Sequence, residues 1–253
     1  MLELRGITKR YNFFPAVNKV SFAVKPGEIL GYLGPNRAGK TTTIKMLAGL
    51  LKPSSGEILY KGKNIKKNHQ EYKKRVGYVP EEPEIYPHLS AYDYLLMVGR
   101  LRLLREKELK RKIEQFIKLF GLSLDMHSPI SAYSKGMVQK VLISSALLHS
   151  PDILLLDEPL SGLDVETSLV INDLVKKLRD EGKIIFYCSH ILEVVEKLCS
   201  RVIIIYKGQI VADDSVENLR DLMKLPSLVD IFNQLVVHED TAGIAEEIVK
   251  AMK

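Results

Sequence analysis

Gly34, Gly39, Lys40 and Thr41, within GPNRAGKTTT (34–43), have the spacing G-x-x-x-x-G-K-[ST]. That spacing suits the holding of a phosphate chain. Consecutive backbone N–H groups and the start of a helix offer partial positive charge to the phosphates. Lys40 adds a full charge at the β and γ phosphates, Thr41 offers a hydroxyl to Mg2+, and Thr42 is a further phosphate donor. Pro35, Asn36, Arg37 and Ala38 complete the cradle. Arg37 stands where a tightly bent loop commonly takes glycine.

Phosphate chemistry on a nucleotide also needs carboxylates. ILLLDEP (153–159) is an apolar run ending in Asp157 and Glu158. A strand of this kind beside the phosphate loop would place Asp157 to orient Mg2+ through water. Glu158, one residue on, would reach the γ-phosphate as the base or polariser of an attacking water.

Both motifs need a parallel sheet to hold them. VSFAV (20–24) alternates, KPGE (25–28) turns, and EILGYL (28–33) leads into the phosphate loop and the helical stretch TTTIKMLAGLL. That helix stops at PSSG (53–56). EILY (57–60), RVGYVP (75–80), ILLLD (153–157), IIFYCS (184–189), residues 202–206 and QIVAD (209–213) read as strands. A helix is expected from about Val165 to Glu181. Short, wholly apolar strands alternating with helices argue for a parallel sheet covered on both faces.

Between about residues 84 and 150 the texture is helical throughout. Ser90 with Asp93 makes a cap before YLLMVGRLRLL, an amphipathic helix runs from about Glu106 to Phe120, and a third begins near Ser134. That third helix carries Val138, Leu142 and Ala146 on one face. The organisation expected is a nucleotide-binding core with an antiparallel β portion (1–83), a helical subdomain (84–150), the second half of the core (151–217) and a helical tail (218–253).

Composition narrows the class. A chain of 253 residues, 46% apolar, can bury a full core. No run reaches the ~18 apolar residues that span a bilayer, and the N-terminus lacks an apolar signal-peptide core. The expectation is a soluble, cytoplasmic polypeptide. Cys188 and Cys199 match no metal or disulfide pattern and read as reduced packing residues. The net charge of +6 gathers in 61–75 and 100–118. Without interleaved aromatics these read as a Lys-rich loop with a strand edge and as a solvated helix face, so direct nucleic-acid binding is not expected.

Three further motifs complete an ordered set: YSKGMVQK (133–140), SGLD (161–164) and His190 in CSH. Together with the phosphate loop and ILLLDEP they resemble the ATP-binding cassette of ABC transporters over roughly residues 1 to 220. YSKGM, GYVPEE (77–82) and SLVDIF (227–232) look closest to the separate ATPase subunits of ABC-2-type exporters. The resemblance implies a P-loop NTPase α/β core with an antiparallel β subdomain and an inserted α-helical subdomain. It implies ATP and Mg2+ as ligands and a second ATPase subunit facing the first head to tail, identical or not. It also implies integral membrane permease subunits as partners and a place on the inner face of the cell membrane.

Residue by residue, the resemblance gives Tyr11 to the adenine ring. It gives Ser134 and Gly136, at the start of the signature helix, to the γ-phosphate held by the opposite subunit. Asp164 would communicate across the interface, and His190 would contact the γ-phosphate and hold the water beside Glu158. Glu81 stands where a glutamine is usual and can still bind Mg2+ or water. Lys135 and Met137 stand where the signature has glycine and glutamine, so Met137 loses a hydrogen bond and Lys135 adds a cation. Arg37 is expected to leave its loop toward the facing subunit, at a cost of about 1 kcal/mol if its φ must be positive. A soluble family member acting on ribosomes or nucleic acid is the alternative. Such proteins usually join two cassettes or carry long coiled coils, and neither occurs here.

Overall fold

The computed structural model describes residues 1–236 together with 250 and 252. The chain opens with β1 (Leu2–Tyr11) and β2 (Phe14–Val24), then β3 (Glu28–Leu33) and α1 (Lys40–Leu47). Next come β4 (Ser55–Tyr60), β5 (Lys63–Asn64), α2 (His69–Lys73) and β6 (Val76–Val79). The helices α3 (Ala91–Leu101), α4 (Glu106–Leu119) and α5 (Lys135–Leu147) follow without an intervening strand. Then β7 (Ile153–Asp157), α6 (Val165–Asp180), β8 (Ile184–Cys188), α7 (Leu192–Leu198), β9 (Arg201–Tyr206) and β10 (Gln209–Asp214) alternate, before α8 (Val216–Met223) and α9 (Leu228–Val236).

The described residues form two sheets. The four-stranded one has the order β2-β1-β4-β5 with antiparallel pairing. The six-stranded one has the order β10-β9-β3-β8-β7-β6, parallel except where β10 runs against β9. Every residue of β7 and β8 is buried. Wholly apolar strands belong in such a sheet because helices or another sheet cover both faces. One apolar cluster lies between the two sheets and α1, with Phe22, Tyr32, Ile44 and Phe186 at its centre. A second lies under α5, α6, α7 and the α8–α9 pair. The fold is therefore the α/β P-loop core with an antiparallel β subdomain and a helical insertion.

The insertion has its own apolar centre, built by Leu95 of α3, Leu109 and Ile113 of α4, and Val141 of α5. Its start is fixed locally. The Ser90 hydroxyl accepts the Asp93 N–H at 3.0 Å and donates to the Asp93 carboxylate at 2.6 Å, a cap worth about 1 kcal/mol. Two expectations need adjustment. The Lys-rich stretch 61–75 supplies β5 and also the helix α2, because Tyr72 is buried and its hydroxyl donates to the Leu47 carbonyl at 2.6 Å. Strand β2 starts at Phe14, well before VSFAV, because Phe14 already pairs with Tyr11 of β1 across the turn. Of the expected helical tail, 237–249, 251 and 253 lie outside the described residues.

Candidate nucleotide site

Strand β3 delivers the chain to the phosphate loop and α1 carries it away. Gly39, at the N-cap of α1, has φ 111°, and a Cβ there would collide with the Ala16 carbonyl. A side chain is excluded twice, by conformation and by the approach of β2. Arg37 has φ 65°, left-handed without glycine's freedom. The Lys40 ammonium donates to the carbonyls of Gly34 at 2.7 Å and Pro35 at 3.1 Å, so it sits over the loop. Thr43 ties the first turn of α1 down, donating from its hydroxyl to the Gly39 carbonyl at 3.0 Å.

The loop forms one side of a cleft of about 330 Å³. Asn36, Arg37, Gly39, Lys40, Thr41 and Thr42 of the loop and α1 line it together with Ala16, Glu81, Glu158 and His190. Arg37, expected to leave the loop toward a facing subunit, is exposed and lines the same cleft as Lys40. Glu158 is only 6% exposed, so it is not a solvated strand-end charge. Its φ is 50°, and its N–H donates to the Cys188 carbonyl at 3.0 Å. One carboxylate oxygen, Oε2, lies 2.9 Å from His190 Nδ1 and accepts the Ser189 hydroxyl at 3.1 Å.

Asp157, the last residue of β7, is 1% exposed, and its Oδ2 is buried without a hydrogen-bond partner. Burial pushes its carboxyl up to about 7; Glu81 and Glu158 push the same way, while Lys40 and Lys45 oppose. An unpartnered buried carboxylate oxygen among negative neighbours is suited to a small divalent cation. Among the described residues no cluster of three His, Cys, Asp or Glu side chains forms a metal cage. Mg2+ fits the chemistry of this oxygen, and Asp157 with the Thr41 hydroxyl would be the protein groups to hold it.

The remaining predicted residues lie elsewhere. Tyr11 ends β1, 52% exposed, with the Lys9 ammonium 5.5 Å from its ring centroid, and it does not line the cleft. Ser134 and Gly136 also lie outside the lining. Ser134 caps α5, its hydroxyl accepting the Met137 N–H at 3.2 Å, and it stays exposed. A Cβ on Gly136 would come 2.5 Å from the Gly162 carbonyl oxygen, so the helix start is pressed against the turn after Glu158. Lys135 lays its stem along Gly162, while Met137 packs into the helical insertion, where a glutamine amide would be buried in an apolar cluster. Asp164 caps α6 by accepting the Thr167 N–H at 2.7 Å, and Lys140 lies 3.9 Å away.

Two residues beyond those predicted join the site. Ser189 holds Glu158, and its place beside His190 in CSH was the available signal. Gln139 is 4% exposed, and its amide donates to the Pro159 carbonyl at 2.9 Å. A glutamine inside YSKGMVQK, on the buried face of a helix, was the signal there.

The ABC transporter family model matches residues 17–161. The ABC transporter ATP-binding protein NatA of Bacillus subtilis is 40% identical over 242 residues, covering 94% of this chain and 98% of NatA. A solved ATP-binding subunit of an ABC transporter superposes with a TM-score of 0.87 at 30% identity, covering 93% of this chain and 99% of that one. A bacterial ABC transporter cassette solved as a dimer gives a TM-score of 0.79 at 25% identity, covering 85% and 98%.

Proposed function

This chain belongs to the ABC transporter family of ATPases, and from that premise we propose how it works and with what. It closes head to tail with a second ATPase subunit around two Mg-ATP and drives a separate membrane permease in the export direction. It does so from the cytoplasmic face of the membrane. Among the described residues no helix is long and apolar enough to cross a membrane, which is consistent with a permease carried on other chains. Export rests on the likeness of YSKGM, GYVPEE and SLVDIF to exporter subunits. The division at residues 83, 150 and 217 follows the same reading, with 84–150 as the lever that transmits closure.

The observation that carries the proposal is the cleft itself, where Lys40 and Thr41 face Glu158 and His190. Backbone N–H groups within 36–42 and the α1 terminus take the phosphates. Lys40 exchanges its two carbonyl partners for phosphate oxygens, a stronger charge-assisted pairing. Thr41 and Asp157, with Glu81, would hold Mg2+, and the ion would supply neutralisation of the phosphate charge. Glu158 accepts a proton from the attacking water as the γ-phosphorus bond to that water forms and its bond to ADP breaks. His190 faces the γ-phosphate, and Tyr11 stacks on adenine.

Ser134 and Gly136 present the free end of α5, exposed and positive, to the γ-phosphate held by the facing subunit. ATP then bonds two chains together, and its hydrolysis releases them. Glu158→Gln tests this reading. The variant is expected to lose ATP turnover while accumulating an ATP-bound dimer on sedimentation. Turnover that persists, or a chain that stays monomeric with Mg-ATP, contradicts it.

A further inference from the structure

Ser189 lies between the end of β8 and His190 and is 2% exposed. Its hydroxyl oxygen accepts the Ile191 N–H at 3.1 Å, and the same hydroxyl donates to Glu158 Oε2 at 3.1 Å. A hydroxyl has one proton, and here the Ile191 amide occupies the acceptor side. The proton is thereby committed to the glutamate. His190 Nδ1 approaches the same oxygen at 2.9 Å from a side chain that is 74% exposed. The two neighbours thus differ in one respect that matters: Ser189 is enclosed, whereas His190 is free to move.

Glu158 is otherwise fixed at its backbone, by φ 50°, by its N–H bond to the Cys188 carbonyl and by its carbonyl, which accepts the Ser161 N–H at 3.1 Å. A glutamate side chain has several rotatable bonds, and ordering it costs conformational entropy that a bond to a partner has to offset. Oε1 has no hydrogen-bond partner among the described residues, so the grip falls wholly on Oε2. We propose that Ser189 is a positioning residue for hydrolysis: it holds Glu158 Oε2 so that Oε1 faces the attacking water, and it keeps that aim when His190 turns to the γ-phosphate. This rests on the reading of Glu158 as the base. Ser189 touches neither water nor phosphate, and its effect runs through Glu158 alone.

The test is ATP turnover by Ser189→Ala and Ser189→Thr, with Glu158→Gln alongside and thermal melting of each. Ser189→Ala is expected to lower kcat about tenfold, the loss that follows a misaimed base, with KM for ATP within about twofold of the parent. Ser189→Thr keeps the donor and is expected to retain kcat within about twofold. Ser189→Ala with parental kcat overturns the proposal if Glu158→Gln is inactive, and leaves the base assignment standing. Ser189→Thr as slow as the alanine variant, while melting like the parent, also overturns it. Turnover surviving in Glu158→Gln overturns the base assignment and the proposal together.

Discussion

The side-chain amide of Gln139 donates to the Pro159 carbonyl at 2.9 Å, both residues being buried. The bond joins α5, whose start would face the other subunit in the proposed dimer, to the turn that follows Glu158. Gly136 pressed on Gly162 adds a second contact along the same seam. In the proposed dimer, where Glu158 would act on the chain's own ATP and α5 on its partner's, the two ends are connected by this seam. Gln139→Leu would leave the Pro159 carbonyl buried without a donor, a loss of about 1–3 kcal/mol. The expected result is a lower melting temperature and a fall in kcat larger than any change in ATP affinity of the isolated chain. Equal falls in both would place the effect in the phosphate loop instead.

Asp157 is expected to be a burden on the nucleotide-free chain. Its carboxyl is pushed up to about 7 by burial and by Glu81 and Glu158, so ionising it near neutral pH works against folding. Asp157→Asn should therefore melt at a higher temperature without nucleotide. It should also show a smaller rise in melting temperature on adding Mg-ATP, because less binding free energy is coupled to the folded state. Calorimetry with and without Mg-ATP checks both halves. A variant that melts lower without ligand contradicts the assignment of strain to this carboxylate.

Arg37 combines a left-handed φ of 65° with an exposed place in the lining of the cleft that Glu81 and Glu158 also line. Arg37→Gly relieves strain of about 1 kcal/mol, which offsets glycine's extra chain entropy of similar size. Stability is expected to stay level. ATP affinity is expected to weaken about two- to fivefold, as for loss of an exposed ion pair, and the difference should shrink in high salt. Titration at two ionic strengths reads it. Unchanged affinity would mean that the arginine acts on something other than its own chain's nucleotide.

His149 gives the insertion a pH-sensitive anchor on the core. Its Nε2 donates to the Val76 carbonyl at 3.0 Å, which also accepts from Arg102, while Nδ1 is buried without a partner. Burial first, then Arg102, brings its pKa down to about 4, with Lys112 a minor contributor and the Val76 bond opposing. The folded chain therefore binds fewer protons than the unfolded one between about 4 and 6.5. Stability from this site is complete above pH 6.5 and is lost as pH falls through 4. His149→Gln keeps a donor for Val76 and removes the titration. Its melting temperature should fall less than the parent's across that window, and parallel curves would contradict the assignment.

How much of this was legible depended on how local each signal was. Strand β3 is bounded by KPGE before it and the glycine loop after it, and β7 is an unbroken apolar run, so both were readable to the residue. Ser90 announced α3 through Asp93, three residues on. Strand β1 was harder, because shifts of register between Leu4, Ile7 and Lys9 break the alternation that marks a strand. Helix α7 is short, and α2 sits inside a run of lysines whose one core residue is Tyr72. Within the site, the phosphate loop, Asp157 and Glu158 carry their chemistry in consecutive residues. Ser189 and Gln139 do not: each acts through a partner at least twenty positions away, Glu158 or Pro159, which only the closed sheet and the packed insertion bring near. The φ of Arg37 depends on the backbone path between β3 and α1, which residue type alone does not state.

The central claim is that each catalytic site is built from two chains, with Lys40 and Glu158 from one and the start of α5 from the other. Mixing two inactive variants tests it most directly. Lys40→Ala removes the phosphate loop's charge. Gly136→Asp drives the start of α5 off Gly162, where even a Cβ would come within 2.5 Å of the carbonyl oxygen. Each variant alone, shown to be folded by circular dichroism, is expected to be inactive. Mixed in equal amounts they should recover ATP turnover, because the hybrid pair holds one site with an intact loop and an intact helix start. A mixture as inactive as its components, although sedimentation shows hybrid dimers, would contradict the account.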